Sequence, residues 1–129
     1  MSVAGFGFRA AATTESLKHA LEAALAQSGT PISLTALATA WDKATAPAFV
    51  RFAADRGLPV IAIPANALHT QQAHTSAHVP ARYGQRSLAE SSALAAAGLG
   101  AQLLGSRCTS PDRMATAAVA ITFPENTSP

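Results

Sequence analysis

The sequence predicts a single-domain α/β protein, a three-layer sandwich in which a mostly parallel mixed sheet is covered by helices on both faces. Short apolar segments with strand character alternate with amphipathic helical segments, an order typical of parallel sheets covered on both sides. The chain has 129 residues, about one domain's worth, and shows no internal repeat or linker. We therefore expect one domain over residues 1–123 and a polar tail over residues 124–129.

The first three elements are marked by apolar spacing and by residues that begin or end a helix. Residues 3–8 are predicted to form a short buried strand. Thr13 or Thr14 caps the helix that follows. Gly29 ends this helix, because glycine readily adopts the left-handed conformation common at helix ends. Residues 37–40 then form a second short strand.

A second helix and a third strand occupy the middle of the chain. Pro47 suits the first turn of this helix, where its missing N–H costs nothing, and Gly57 ends it. Residues 60–63 are a short, largely β-branched run between two prolines, which predicts a buried strand. The pattern then lapses over residues 65–83, apart from a short helix near residues 66–70. Loops of this length in compact domains are often functional.

The last third of the chain predicts one helix and two strands. Ser87 and Glu90 have the spacing of a capping box, which predicts a third helix that ends at Gly98. Residues 101–105 and 117–123 are the final predicted strands. These two strands can pair as an antiparallel hairpin at one edge, which would make the sheet mixed.

The composition excludes several classes of protein. Hydrophobic residues make up 49% of the chain and charged residues 12%, which is too apolar and too weakly charged for intrinsic disorder. Nine Lys and Arg residues are too few for an obvious nucleic-acid binder. No apolar run approaches the roughly 20 residues that cross a membrane. The net charge of +2 weakly favours anionic ligands. The single cysteine permits no intrachain disulfide, so we expect a reducing compartment and, by default, a cytoplasmic protein.

The first candidate site follows the first predicted strand. Gly5 and Gly7 would let a ligand approach the backbone near the carboxyl end of that strand. The N-terminus of the next helix attracts anions, and Arg9 offers a fork of donors to a carboxylate. The alternative is that the glycines serve only tight packing and Arg9 is a solvated surface residue. No third glycine completes a dinucleotide-binding fingerprint.

Asp42 and Lys43 follow the second predicted strand, at the same end of a parallel sheet as Arg9. Lys43 would bind an anionic ligand, and Asp42 would orient the ligand or act as an acid or base. The alternative is a surface ion pair that contributes little to stability.

The start of the third helix is a second candidate anion site. Gly84 gives the backbone freedom there, and Arg82 and Arg86 raise the positive potential beside the free N–H groups of the helix. Ser87 is better explained as the helix cap than as a catalytic residue.

Three histidines and the cysteine are weaker candidates. His69, His74 and His78 have spacings that fit no established zinc pattern, so we expect no metal and no cofactor. Hydrogen bonding to a ligand or to water is the favoured role for these histidines. Cys108 stands beside Arg107, which would lower the pKa of its thiol, but a structural role is favoured.

Four segments that occur in a set order carry a resemblance to a known family. They are VAGFGFR at 3–9, LATAWDK at 37–43, GLPV at 57–60 and YGQRSLAESSA at 83–93. In these segments the chain resembles the cobalamin-biosynthesis family of CobE and the C-terminal domain of CbiG, and the resemblance spans residues 2–121. The family often has a Pro-Lys-x-Lys stretch in a late strand. This chain has Gly105-Ser106-Arg107 there, which leaves a basic contact at that place open.

The resemblance implies a role in making the corrin ring of vitamin B12, with a precorrin or corrinoid acid as the ligand. Basic residues would hold its carboxylates, and Trp41, Phe6 or Phe8 would support its apolar macrocycle. If there is chemistry, Asp42 or His78 is the candidate proton-transfer group. The ligand-binding residues that follow from this are Gly5, Gly7, Arg9, Trp41, Lys43, Gly84, Arg86 and Ser87.

Two alternatives from other functional classes stay open. One is a stand-alone hydrolase that acts as the cobalt-precorrin-5A hydrolase of this family does and releases acetaldehyde. The other is a module that docks a pathway methyltransferase. We expect a monomer or a weak homodimer formed through the alanine-rich third helix, and no nucleic-acid or membrane partner.

Overall fold

The computed structural model describes residues 1–29, 31–68 and 88–122. In these residues the chain forms six strands and three helices, in the order β1 Ser2–Phe8, α1 Thr14–Gln27, β2 Ala36–Ala40, α2 Pro47–Arg56, β3 Val60–Ile63, α3 Leu88–Ala97, β4 Gln102–Leu103, β5 Cys108–Thr109 and β6 Ala115–Ile121. Residues 65–68 are also helical. The predicted polar tail at 124–129 lies outside the described residues.

The strands form one mixed sheet in the order β3-β2-β1-β6-β4, and β5 also pairs with β6. The pairs β1–β2 and β2–β3 are parallel. Strand β6 is antiparallel to β1, β4 and β5, so it alone among the described strands runs against the others. The predicted α/β class, with a mostly parallel mixed sheet in a single domain, is confirmed.

The last two predicted strands pair antiparallel at one edge of the sheet, as expected, with β4 as the edge strand, although β5 lies between them in the chain. Strand β6 lies inside the sheet, paired with β1 from Ser2 opposite Ile121 to Phe8 opposite Ala115, and β4 and β5 share its other side. The reason lies in its composition, because ATAAVAI is apolar on both faces and is mostly buried. Such a strand is most stable in the interior of the sheet, where helices cover both of its faces.

The helices lie on both faces of the sheet and bury two separate cores. Helices α1 and α2 cover one face, where Phe6 meets Phe49 and Phe52 edge to face with ring centroids 5.5 Å apart in each pair. Helix α3 covers the other face, and that core is built mainly of alanines. The expected three layers are therefore present, with one aromatic core and one thin core.

The thin core brings α3 onto the backbone of β1. A Cβ added to Gly5 would lie 2.5 Å from the backbone N of Ala93 and 3.0 Å from its Cα, and closer still to the carbonyl oxygen of Ala89. Only a residue without a side chain fits there. Of the two interpretations of Gly5, tight packing is the one that this geometry shows.

The predicted helix ends agree with the structure wherever it describes them. The Thr13 side chain accepts a hydrogen bond from the backbone N of Ser16, which makes Thr13 the N-cap of α1. Pro47 is the first residue of α2, and Gly57 ends that helix with φ of 67°. Within the described residues, no helix has the length and apolar character needed to span a membrane.

The predicted strand at 101–105 is shorter than expected, and β5 was not expected at all. Of the strand predicted at 101–105, only Gln102–Leu103 pairs with β6. The unexpected β5 consists of the two residues Cys108–Thr109, which also pair with β6. Strands of two residues carry no periodicity, so only pairing with β6 defines them.

Candidate functional site

A cleft of about 500 Å³ lies at the carboxyl end of β1, between the first turn of α3 and the segments that lead into β5 and β6. This is the position at which open α/β sheets bind ligands. The described residues that line the cleft are Gly7, Phe8, Arg9, Leu88, Ala89, Arg107, Thr109, Arg113, Met114 and Thr116.

The floor of the cleft is one row across three strands. Gly7 of β1 is opposite Thr116 of β6, which is opposite Thr109 of β5. Residues paired in this way face the same side of the sheet. The two threonine Oγ1 atoms are 3.3 Å apart, so the row offers two hydroxyls beside a position without a side chain. A Cβ on Gly7 would lie 3.3 Å from Cδ2 of Leu88, so this glycine keeps the row open next to α3.

Three arginines surround this row. Arg9 directly follows β1, Arg107 directly precedes β5, and Arg113 lies in the turn between β5 and β6. Arg9 and Arg113 are exposed and Arg107 is half-buried. No ion pair joins any of them to another described residue, and no Asp or Glu is among the described lining residues. The described lining of the cleft is therefore positively charged and offers planar donor groups suited to carboxylates.

Lys43 contacts the ring of Phe8, which packs against the core under α1 and α2. The Phe8 ring stacks on Phe49, with centroids 5.4 Å apart and planes at 12°. Lys43 Nζ lies 5.2 Å from the centroid of the same Phe8 ring. Because β1 and β2 are parallel, Lys43 and Arg9 follow strands that end at the same side of the sheet, as the sequence predicts.

Trp41 and Asp42 follow the same strand but do not line the cleft. Trp41 follows β2 directly and is 58% exposed, with its backbone N donating to the carbonyl oxygen of Ile63 at 2.9 Å. Asp42 is exposed as well. The structure therefore places Gly7 and Arg9 in the cleft and Lys43 beside the Phe8 ring. It leaves Trp41 and Asp42 at the surface beside β2.

The turn before β6 is held by a carboxylate. Asp112 accepts hydrogen bonds from Ser110 Oγ at 2.5 Å, from Ser16 Oγ at 2.6 Å and from the backbone N of Met114 at 3.0 Å. Donors aimed at the ionised carboxylate, with the Ser110 hydroxyl contributing most, lower the pKa of Asp112 from 3.8 to about 2. This turn is thereby tied to the first turn of α1.

Sequence reasoning did not predict most of the cleft. Arg107, Arg113, Thr109 and Thr116 come together only because β5 pairs with β6. Where the sequence left a basic contact open, Arg107 lines the cleft. The only feature of the sequence that indicated a role for Arg107 is its position in the late stretch where the family often carries basic residues.

Several predicted site residues lie outside the described part of the chain. They are His69, His74, His78, Arg82, Gly84, Arg86 and Ser87. Among the described residues, no group of three or more His, Cys, Asp or Glu side chains could hold a metal ion.

Cys108 differs from an activated thiol. It is half-buried on β5, and burial raises its pKa rather than lowering it. Its Sγ lies 3.8 Å from the carbonyl oxygen of Ser106. A structural role, the favoured interpretation, fits this position.

The fold and the cleft together define a class: a small α/β protein with an arginine-lined cleft at the carboxyl end of its sheet. The model of one family, described as cobalamin synthesis G C-terminus, matches residues 2–120. The chain belongs to this family, and its role lies in cobalamin biosynthesis.

Two solved structures are similar to the chain over nearly its whole length. The cobalamin biosynthesis protein chiG from Agrobacterium tumefaciens str. C58 is 30% identical, with a TM-score of 0.75 over 96% of this chain and 100% of that one. CobE, a protein from the cobalamin (vitamin B12) biosynthetic pathway, is 29% identical, with a TM-score of 0.80 over 98% of this chain and 93% of that one. The comparison with curated protein sequences gives no significant match.

Proposed function

We propose that the chain binds a precorrin or corrinoid acid through the arginine-lined cleft and assists or carries it during corrin ring formation. The observation that carries the proposal is the grouping of Arg9, Arg107 and Arg113 around one cleft without an acidic neighbour among the described lining residues. In a protein of cobalamin biosynthesis, a site with this charge suits the carboxylated intermediates of the pathway.

The chemistry of such a ligand matches the cleft. Precorrin intermediates carry acetate and propionate carboxylates around a broad apolar macrocycle. Guanidinium groups bind carboxylates through two parallel hydrogen bonds, and the hydroxyls of Thr109 and Thr116 add donors at the floor. Leu88 and Phe8 add apolar atoms to the lining of the cleft. The carboxylates at one edge of the macrocycle would thus enter the cleft.

A titration with hydrogenobyrinic acid, followed by the absorbance of the corrin, tests the proposal. We expect a saturable absorbance change with the wild-type chain. Arg9→Ala and Arg107→Ala should each weaken binding about tenfold, since losing a charged hydrogen bond costs about 1.5 kcal/mol or more. Arg51→Ala is the matched control, because Arg51 is exposed on α2 and does not line the cleft.

Two outcomes would overturn the proposal. One is the absence of any absorbance change with the wild-type chain. The other is binding that Arg9→Ala and Arg107→Ala leave as tight as Arg51→Ala does, since the ligand would then lie elsewhere. An assay for acetaldehyde with a lactone-bearing precorrin distinguishes carriage from hydrolysis, because only a hydrolase would release it.

A further inference from the structure

Arg113 has a backbone conformation that arginine rarely adopts. Its φ is 62°, and among the described residues it is the one non-glycine residue with a positive φ. In this left-handed region the Cβ of an L residue crowds the following peptide, so glycine or asparagine is the usual choice. Residues held in such conformations persist only where their surroundings determine them, and they gather at functional sites.

A set of hydrogen bonds around Asp112 determines this conformation. The backbone N of Arg113 donates to the carbonyl oxygen of Ser110 at 2.8 Å, which closes the turn. The Asp112 carboxylate accepts from the Ser110 hydroxyl on one side of the turn and from the Met114 backbone N on the other. Ser16 of α1 donates to the second carboxylate oxygen. The turn is therefore held by hydrogen bonds within residues 110–114 and by one hydrogen bond to helix α1.

The same turn is connected to the cleft at two points. Arg113 lines the cleft and is exposed, with no ion pair to a described residue. The carbonyl oxygen of Met114, the next residue, accepts a hydrogen bond from the backbone N of Arg9 at 2.9 Å. A turn that served only to reverse the chain would be more stable with glycine at position 113. The presence of a long cation at a strained position of this cleft needs another explanation.

We propose that Asp112 is a positioning residue, which holds the 110–114 turn so that Arg113 is presented to a carboxylate of the ligand bound in the cleft. The inference rests on the proposed function of the cleft. Asp112 acts through Arg113 and does not line the cleft itself. Because the turn already fixes the backbone at Arg113, little backbone entropy is lost there when the side chain binds an anion.

A double-mutant cycle tests this inference. The four proteins are the wild type, Asp112→Asn, Arg113→Ala and the double variant, each titrated with hydrogenobyrinic acid. We expect Arg113→Ala to weaken binding about tenfold and Asp112→Asn about fivefold, while the double variant binds no more weakly than Arg113→Ala, because coupled residues are not additive. Asp55→Asn, an exposed carboxylate on α2, is the matched control.

Two further measurements separate positioning from general destabilisation. Arg113→Gly should be more stable than Arg113→Ala, because glycine relieves the strained φ, yet it should bind the corrinoid no more tightly. Without ligand, the Arg113 amide should lose protection from hydrogen exchange in Asp112→Asn and keep it in Asp55→Asn.

Each failure has its own signature. Additive losses of affinity in the double variant, or an unchanged Arg113 amide in Asp112→Asn, would overturn the positioning role whatever the wild type binds. If the wild type binds no corrinoid while the Arg113 amide responds as expected, the proposed function fails, and with it the presentation of Arg113 to this ligand; the anchored turn alone would then stand.

Discussion

The Ser16 hydroxyl donates a hydrogen bond of 2.6 Å to the carboxylate of Asp112, 96 positions further along the chain. Ser16 is fully buried in the first turn of α1, where it also takes part in the capping box with Thr13. The contact therefore joins the start of the first helix to the turn that precedes the interior strand β6. It links the packing of α1 to the wall of the candidate cleft.

Replacing Asp112 by asparagine should make the stability of the protein less sensitive to acid. The folded-state pKa of about 2 lies below the ordinary value of 3.8, so the ionised carboxylate stabilises the fold at neutral pH. That stabilisation is present above about pH 4 and is lost as the pH falls towards about 2. Asp112→Asn should therefore melt below the wild type at neutral pH, and the difference should close in this acidic range.

Thermal unfolding followed by circular dichroism across this pH range measures the effect. Asp55→Asn should melt close to the wild type at every pH. A gap between Asp112→Asn and the wild type that stayed constant down to pH of about 2 would contradict the assigned pKa.

Gly5→Ala should strongly destabilise the fold. The new Cβ would overlap the backbone of α3 at Ala89 and Ala93, and a helix backbone moves only as a unit. Overpacking of this kind costs about 3 kcal/mol. Gly7→Ala is the matched comparison, because its Cβ would meet only the movable Leu88 side chain at 3.3 Å.

Urea unfolding of the two alanine variants distinguishes these positions. We expect the Gly7 variant to remain within about 1 kcal/mol of the wild type but to bind a corrinoid less well, since it narrows the cleft. Equal stability of the two variants would contradict the close approach of α3 to β1.

Phe49→Ala should destabilise the fold and also weaken the binding of a corrinoid, because Phe49 supports Phe8 of the cleft lining. Phe49 is fully buried, meets Phe6 edge to face and stacks on Phe8. Removing a buried phenylalanine costs about 3–5 kcal/mol. Val50→Ala, a neighbouring exposed position on the same helix, should cost no more than about 0.5 kcal/mol.

Urea unfolding measures the loss of stability in the Phe49 and Val50 variants. A corrinoid titration of the folded variants measures whether losing the Phe49 contact with Phe8 lowers the affinity for the ligand. A Phe49 variant as stable as the Val50 variant would rule out the aromatic cluster as the main core.

Lys43→Ala should weaken corrinoid binding by less than the arginine variants do. The ammonium lies over the Phe8 ring, and Lys43 does not line the cleft. An exposed ion pair between this ammonium and a ligand carboxylate would contribute no more than about 1 kcal/mol, which is a factor of about five in affinity. Lys18→Ala on α1 is the control in the same titration, and a tenfold loss in Lys43→Ala alone would place this lysine among the direct ligand contacts.

Local sequence signals predicted the elements whose ends carry their own chemistry. Thr13 caps α1, Pro47 begins α2, and Gly57 ends α2 in a left-handed conformation. Each of these effects acts within a few residues of the chain, so it can be recognised without knowledge of the fold. The apolar run at 60–63 likewise predicted β3, but the expectation that this strand is buried is wrong, because β3 lies at the edge of the sheet and only Ile63 is buried.

The cleft could be predicted only in part. Arg9 and Lys43 were expected at one end of the sheet, because the carboxyl ends of parallel strands meet at one side. Arg107 and Arg113 could not be predicted, since the two residues of β5 show no periodicity and pair with β6 only in the folded chain. Asp112 is a residue type common in turns, and nothing in the sequence indicates its hydrogen bond to Ser16 of α1.

The class of this protein, the places of its helices and most strands, and its family resemblance could be inferred from the amino-acid sequence. The folded chain was needed to show that β6 lies between β1 and β4, that Gly5 serves packing, and that three arginines share one cleft. Caps and apolar periodicity act between neighbouring residues, whereas strand order and the grouping of charges depend on residues brought together from distant parts of the chain.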